Sequence, residues 1–95
     1  MDNTFFTPVF SNPLNFGADI VMQCVAKYIG GHSDVSAGAL CTNDEKLYER
    51  MLLQTKAAGN GLPAFCSWLA IRGAKTMELR VKQAAANALA LANYL

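Results

Sequence analysis

An α/β chain, mostly helical with two short strands, is what this 95-residue sequence predicts. Ile20-Val-Met-Gln-Cys-Val25 is apolar, rich in β-branched side chains and free of charge, the pattern of a buried strand. Gly30-Gly31 follows and permits a sharp reversal, since glycine adopts positive φ without steric cost. Ser36–Thr42, a second run of small and apolar residues, then reads as the second strand. Beyond it the apolar residues change to helical spacing.

Pro8, Asn12-Pro13 and the spacing to Gly17 predict an irregular stretch holding a short helical turn ahead of the first strand. After the second strand, Thr42 or Asn43 caps a helix that places Asp44 and Glu45 in its first turn, where the helix dipole favours acids. Leu47, Met51 and Gln54 keep helical spacing to Ala58, and Gly59-Asn-Gly-Leu-Pro63 forms a loop. Ala64–Arg72 reads as a shorter helix with Phe65, Trp68, Leu69 and Ile71 as apolar anchors, broken or bent at Gly73. Lys75–Leu95 is a long, alanine-rich segment of high helix propensity. Two strands are marginal unless a helix layer covers them, so exposed apolar faces and a tendency to associate are expected.

Composition narrows the function classes. Hydrophobic residues make up 53% and charged residues 16%, which leaves few polar side chains to cover a surface. This fits a compact helical protein or, more sharply, a piece of a larger core. The formal net charge of +1 and the scatter of basic residues argue against nucleic acid. Lys75, Arg80 and Lys82 begin the last helix, but its later half is nearly uncharged, so no basic amphipathic face addresses a membrane surface. No apolar run approaches a bilayer span, and Met-Asp-Asn-Thr lacks the basic and apolar regions of a secretory signal. Cys24, Cys41 and Cys66 match no zinc spacing and no disulfide framework, so reduced thiols in a cytoplasmic setting are expected, with no metal.

The sharpest local pattern is Cys24-Val-Ala-Lys27-Tyr-Ile-Gly-Gly-His-Ser-Asp34. A single lysine after an apolar strand and before two glycines is positioned to be held out of bulk water, as a Schiff-base lysine requires. Asp2-Asn-Thr-Phe, Thr7-Pro8, Asn12-Pro13-Leu14, Gly17–Val21, Lys27–Val35, Leu47-Tyr-Glu-Arg50, Arg72-Gly73 and Lys75-Thr76 accompany it. Taken together in this order and spacing, these segments resemble the pyridoxal 5'-phosphate (PLP) enzymes of cysteine and methionine metabolism, the cystathionine γ-lyase / γ-synthase family. Ser11-Asn-Pro-Leu-Asn-Phe-Gly17 is most similar to the fungal cystathionine γ-lyase branch.

The resemblance implies an α/β fragment of the large domain of the aspartate-aminotransferase-like (type I) PLP fold, with residues 1–95 forming the later part of that domain. Family members are several times longer. The glycine turn for the cofactor phosphate, the ring-stacking tyrosine and the arginine for the substrate carboxylate are implied elsewhere.

Lys27 matches the family's cofactor-binding lysine, which condenses with the PLP aldehyde and later moves a proton at the substrate Cα. Asp2 matches the carboxylate that pairs with the pyridine nitrogen. As sequence alone, it also reads as an exposed aspartate at a fraying terminus. Thr4 matches a residue near the ring face. Cys24 and Ala26 stand where the family pattern Ser-x-Thr-Lys supplies two hydroxyls to the phosphate; Cys24 keeps a weak donor and Ala26 none. Leu62-Pro-Ala-Phe-Cys66 replaces the usual Pro-Ser-Pro-Phe-Asp and loses an aspartate. His32, the only histidine, is expected to bond within its turn to Ser33 or Asp34.

The implied function is trans-sulfuration chemistry of the cystathionine γ-lyase type: PLP-dependent carbon–sulfur cleavage of cystathionine to give cysteine. The implied partners are a sulfur amino acid substrate and either copies of this chain or full-length family subunits. The competing expectation is a non-catalytic truncated fragment or paralogue that at most associates with full-length subunits.

Overall fold

The computed structural model describes all 95 residues. The chain begins extended. Met1–Asn3 runs parallel to the first strand, β1 (Val21–Cys24), with Asp2 bridged to Met22. The Asn3 amide donates to the Met22 carbonyl (2.9 Å), the Met22 amide to the Met1 carbonyl (2.8 Å), and the terminal amine to the Ile20 carbonyl (2.7 Å). Asp2 is therefore pinned by its neighbours, which corrects the expectation of a fraying terminus.

The irregular stretch holds two short turns of helix, α1 (Thr7–Phe10) and a 3-10 turn at Pro13–Phe16. β1 then leads into a wide π-type turn, Val25–Ile29, interrupted by non-helical dihedrals at Lys27 (φ −90°, ψ −108°). The second strand, β2 (Gly38–Cys41), returns antiparallel to β1, pairing Val21 with Cys41 and Cys24 with Gly38. Both strands are shorter than their apolar runs. The Ala26 amide extends the pairing by donating to the Ala37 carbonyl (3.2 Å).

Three helices follow: α2 (Glu45–Ala58), α3 (Ala64–Ala74) and α4 (Met77–Tyr94). The N-cap of α2 is Asp44, whose Oδ1 accepts from the Leu47 amide at 2.9 Å. Neither expected cap, Thr42 or Asn43, serves: Thr42 lies two residues back, where its hydroxyl donates to the Asp19 carbonyl (2.7 Å) and accepts from the Asp44 amide (3.1 Å). α2 ends at Gly59 in the left-handed conformation.

α3 ends at Ala74, one residue beyond the Gly73 expected to break it, and Lys75-Thr76 form a turn before α4. Gly73 itself lies buried in the last turn of the helix. A side chain there would collide with the Gly30 carbonyl, and its Cβ would stand 2.8 Å from the Gly30 carbonyl carbon and Cα. Two glycines thus let α3 and the turn after Lys27 touch backbone to backbone.

The apolar core is small: Val21, Val25, Val35 and Val81. Asn3, Thr4, Thr7 and Gln23 are the buried polar residues. Three of the four expected anchors of α3 face outward, with Phe65 68%, Trp68 56% and Ile71 63% exposed, while Leu69 is half-buried. The radius of gyration, 15.2 Å, exceeds the roughly 12 Å of a compact domain this long. The exposed apolar faces expected from composition are present, and the chain does not enclose a core of its own size.

Candidate functional site

The site forms where the N-terminal segment runs beside the end of β1. Asp2 and Thr4 flank Met22 and Cys24, and Lys27 follows three residues after Cys24. The Thr4 amide donates to Asp2 Oδ1 at 2.9 Å, and the Cys24 amide donates to Thr4 Oγ1 at 2.9 Å. Thr4 is therefore the link: one group holds the carboxylate and another holds the strand end. Its burial, 6% exposed, shields both bonds from competing water. The Thr4 side chain first, and its backbone second, hold the Asp2 carboxyl below the usual carboxylate range; the nearby terminal amine adds to this, and desolvation opposes it. Asp2 is accordingly anionic at neutral pH, as a partner for a cationic ring nitrogen must be.

Phe5 and Tyr28, the residues following Thr4 and Lys27, meet edge to face with ring centroids 6.3 Å apart. This contact ties the N-terminal segment to the Lys27 turn. Ala26, Lys27 and Phe5 line an open depression of about 440 Å³ together with Tyr28, Gly31, Ser33 and Arg80. Lys27 is exposed there. The dry amine expected from its flanking residues is not what this chain provides by itself, because only four apolar residues are buried in it. Lys27 has no salt-bridge partner; the chain's one ion pair is Lys82 with Glu78.

The sequence-predicted residues thus fall into two connected groups. Asp2, Thr4 and Cys24 are joined by hydrogen bonds; Ala26 and Lys27 line the depression. At Cys24 and Ala26, both backbone amides are already used, by Thr4 Oγ1 and the Ala37 carbonyl. Neither side chain carries a hydroxyl. A fixed carboxylate and an unpaired amine are the chemistry that the ring and aldehyde ends of PLP call for. Cys24 and Ala26 add no hydroxyl for its phosphate.

Two features escaped the sequence. His32 does not bond Ser33 or Asp34: its Nδ1 lies 2.7 Å from the Gly30 carbonyl, which can only accept, so Nδ1 carries the proton. Arg80, read from sequence as one of several basic residues on the last helix, reaches back across the fold to the turn after Lys27. Its Nη1 donates to the Tyr28 carbonyl (2.9 Å) and its Nη2 to those of Gly73 (2.9 Å) and Ile29 (3.4 Å). No local pattern announces such a contact. The basic character of the residue was the only available signal.

The chain is similar to known proteins along its whole length. Over all 95 residues the chain is 53% identical to cystathionine gamma-lyase of Saccharomyces cerevisiae and 50% identical to cystathionine gamma-synthase/O-acetylhomoserine (thiol)-lyase of Bacillus subtilis. It spans 24% and 26% of those proteins, about a quarter of the length of the curated relatives it matches. The crystal structure of cystathionine gamma-lyase from yeast superposes with a TM-score of 0.80 at 54% identity, covering 82% of this chain and 20% of that one. Cystathionine gamma synthase from Xanthomonas oryzae pv. oryzae in complex with cystathionine superposes with a TM-score of 0.84 at 41% identity, covering 94% of this chain and 24% of that one. The mostly helical fold with its two-stranded sheet is thus a fragment of the large domain of these enzymes. Their family uses pyridoxal 5'-phosphate as cofactor. The sequence model described as Cys/Met metabolism PLP-dependent enzyme matches residues 1–95, and the chain belongs to that family.

Proposed function

We propose that residues 1–95 form the later part of a PLP-binding large domain and contribute to cystathionine γ-lyase-type chemistry, cleavage of a carbon–sulfur bond of cystathionine to release cysteine. The observation that carries this reading is the register of Asp2 and Thr4 against Met22 and Cys24, immediately ahead of Lys27. PLP, when bound, supplies an electron sink for negative charge at the substrate Cα. Lys27 would attach the cofactor and exchange a proton with that carbon, and the Asp2 anion would keep the ring nitrogen protonated. Thr4 holds Asp2 in place. Ala26 lines the depression and Cys24 ends the strand before it, neither with a hydroxyl, so phosphate retention would depend on other residues. The sulfur amino acid substrate and assembly into homo-oligomers belong to the same proposal. A reducing cytoplasmic setting fits the three free cysteines. No helix is long and apolar enough to cross a membrane.

The test is an absorbance titration of the chain with PLP. Wild type gains a protein-bound band distinct from free cofactor, Lys27→Ala loses it, and Asp2→Asn weakens it. A wild-type spectrum equal to the sum of protein and free PLP would end the proposal.

A second reading has its own support: the outward-facing Phe65, Trp68 and Ile71 of α3. In it, the chain is a non-catalytic member of the family that associates with full-length family subunits. Co-purification with a tagged full-length cystathionine γ-lyase, lost in the triple variant Phe65→Ser/Trp68→Ser/Ile71→Ser, would support it. Equal recovery of wild type and variant would refute it.

A further inference from the structure

We propose that Arg80 is a positioning residue for Lys27: its guanidinium ties the carbonyls of Tyr28 and Ile29 to that of Gly73 and so fixes the direction in which the turn presents the Lys27 amine. The inference rests on the reading of Lys27 as the cofactor-attachment residue.

The geometry is specific to a planar fork. Nη1 donates to the Tyr28 carbonyl at 2.9 Å, while Nη2 donates to the Gly73 carbonyl at 2.9 Å and reaches the Ile29 carbonyl at 3.4 Å. Nε donates to Thr76 Oγ1 at 3.0 Å, which orients the fork. Thr76 in turn donates to the Gly73 carbonyl from both its amide and its hydroxyl, each at 3.2 Å. These acceptors lie on the Lys27 turn, on α3, and at the start of α4. A guanidinium spans them because its donors diverge in a fixed plane; an ammonium presents one point of charge and does not. Arg80 has no carboxylate partner, since the one ion pair in the chain is Lys82 with Glu78. Its charge is balanced by carbonyl dipoles alone.

The turn is shaped to receive it. Gly31 has φ +72°, and a Cβ there would run into the Arg80 guanidinium. The Gly31 amide donates to the Lys27 carbonyl at 2.8 Å, so the position of Gly31 bears directly on the peptide that follows the Lys27 side chain. Gly73 lies against the Gly30 backbone from the other side. Lys27 and Arg80 line the same open depression. In a turn so exposed, the direction of a long, flexible amine depends on how firmly its backbone is held, and Arg80 is the one side chain bonding to the carbonyls of both residues that follow Lys27.

The experiment uses the full 95-residue chain as wild type, Arg80→Ala and Arg80→Lys. Each is incubated with PLP and quenched with borohydride at timed intervals. Lys27 Nζ adds to the aldehyde carbon, water leaves, and hydride reduces the C=N product to a stable secondary amine. Peptide mass spectrometry then reads the labelling rate at Lys27, with Lys46 and Lys56 of α2 as internal controls. Loss of two or more charge-assisted bonds slows Lys27 labelling by about tenfold or more in Arg80→Ala. The controls stay unchanged, Arg80→Lys is intermediate, and added ethylguanidinium partly restores Arg80→Ala. Equal Lys27 rates in all three proteins, or parallel changes at every lysine, would overturn the inference. Wild-type Lys27 labelling no faster than the controls would instead defeat the cofactor reading. A cofactor-free arm keeps the positioning claim exposed in that event. Amide exchange at Gly31 rises about tenfold in Arg80→Ala while α2 amides keep their wild-type rates; no change at Gly31, or a uniform rise along the chain, refutes it.

Discussion

Gly73→Ala sets two physical effects of opposite sign against each other. Glycine inside a helix is about 1 kcal/mol less favourable than alanine, so propensity alone predicts that the substitution stabilises α3. Packing predicts the reverse. The added Cβ would lie 2.8 Å from both the Gly30 carbonyl carbon and Cα, and closer still to the carbonyl oxygen. Carbon atoms in contact prefer about 3.5–4.0 Å, and the opposing atoms are backbone, with no rotamer by which to retreat. Overpacking of this kind costs about 1–3 kcal/mol. Separating the two backbones also stretches the Arg80 bridge, whose Nη1 and Nη2 reach the Tyr28 and Gly73 carbonyls at 2.9 Å each. Two such bonds, stretched rather than lost and partly open to water, add about 0.5 kcal/mol apiece. The net is a loss of about 2 kcal/mol, localised to the contact between α3 and the Lys27 turn. Hydrogen exchange reads this directly. Amides of Gly30 and Gly31, which donate to the Val25 and Lys27 carbonyls at 2.7 and 2.8 Å, should exchange about 30-fold faster in Gly73→Ala. The amides of α2 should not change. Slower or unchanged exchange at Gly30 and Gly31 would mean that propensity wins, and that the glycine contact does not set the position of this turn.

Three further outcomes follow from the site. Thr4→Val removes the hydroxyl that accepts from the Cys24 amide and helps to keep Asp2 ionised, so the Asp2 titration followed by carboxyl NMR should move up from its lowered midpoint towards about 3.9; an unchanged midpoint would remove Thr4 from that role. Because the folded-state pKa of Asp2 is depressed, its contribution to stability is present above the ordinary aspartate value and is lost as pH falls through the lowered one; the Glu78 carboxyl, held down by the Lys82 hydrogen bond first and its charge second, behaves in the same way. Ala26→Thr restores one phosphate hydroxyl beside Lys27 and should tighten PLP binding about tenfold in equilibrium dialysis, consistent with a charge-assisted bond of about 1.5 kcal/mol, whereas no gain would show that this side chain does not face the phosphate.

What could be read from the sequence was what local pattern encodes. The Ile20–Val25 run found β1, the glycine pair found the reversal, and three helical segments emerged within a few residues of their observed bounds. The cap of α2 was displaced because Thr42, Asn43 and Asp44 are all competent caps, and only the Asp44 hydrogen bond to the Leu47 amide distinguishes them. Features made by distant backbone were hidden. Three residues at the N-terminus carry no periodicity, so their parallel pairing with β1 leaves no trace in composition. Gly73 was read as a helix breaker, and α3 does end one residue later, but propensity records only its flexibility and not the Gly30 backbone lying against it. Arg80 bonds to carbonyls, which every residue has, so its partners carry no identity that a sequence displays. Phe65, Trp68 and Ile71 were assigned to a core because apolar spacing reports which face is greasy; what covers that face is decided elsewhere. The candidate lysine and aspartate were visible through resemblance, while the hydrogen bonds through Thr4 that join Asp2 to the strand end required coordinates.

In the proposed function, one amine of this chain captures the cofactor. Peptide mapping of a PLP-treated, borohydride-reduced sample at substoichiometric cofactor tests it most directly. The account predicts a pyridoxyl group on Lys27, well above Lys46, Lys56, Lys75 and Lys82, and a sharp drop in that preference in Asp2→Asn. Label spread evenly over the five lysines, or absent from Lys27, would contradict it.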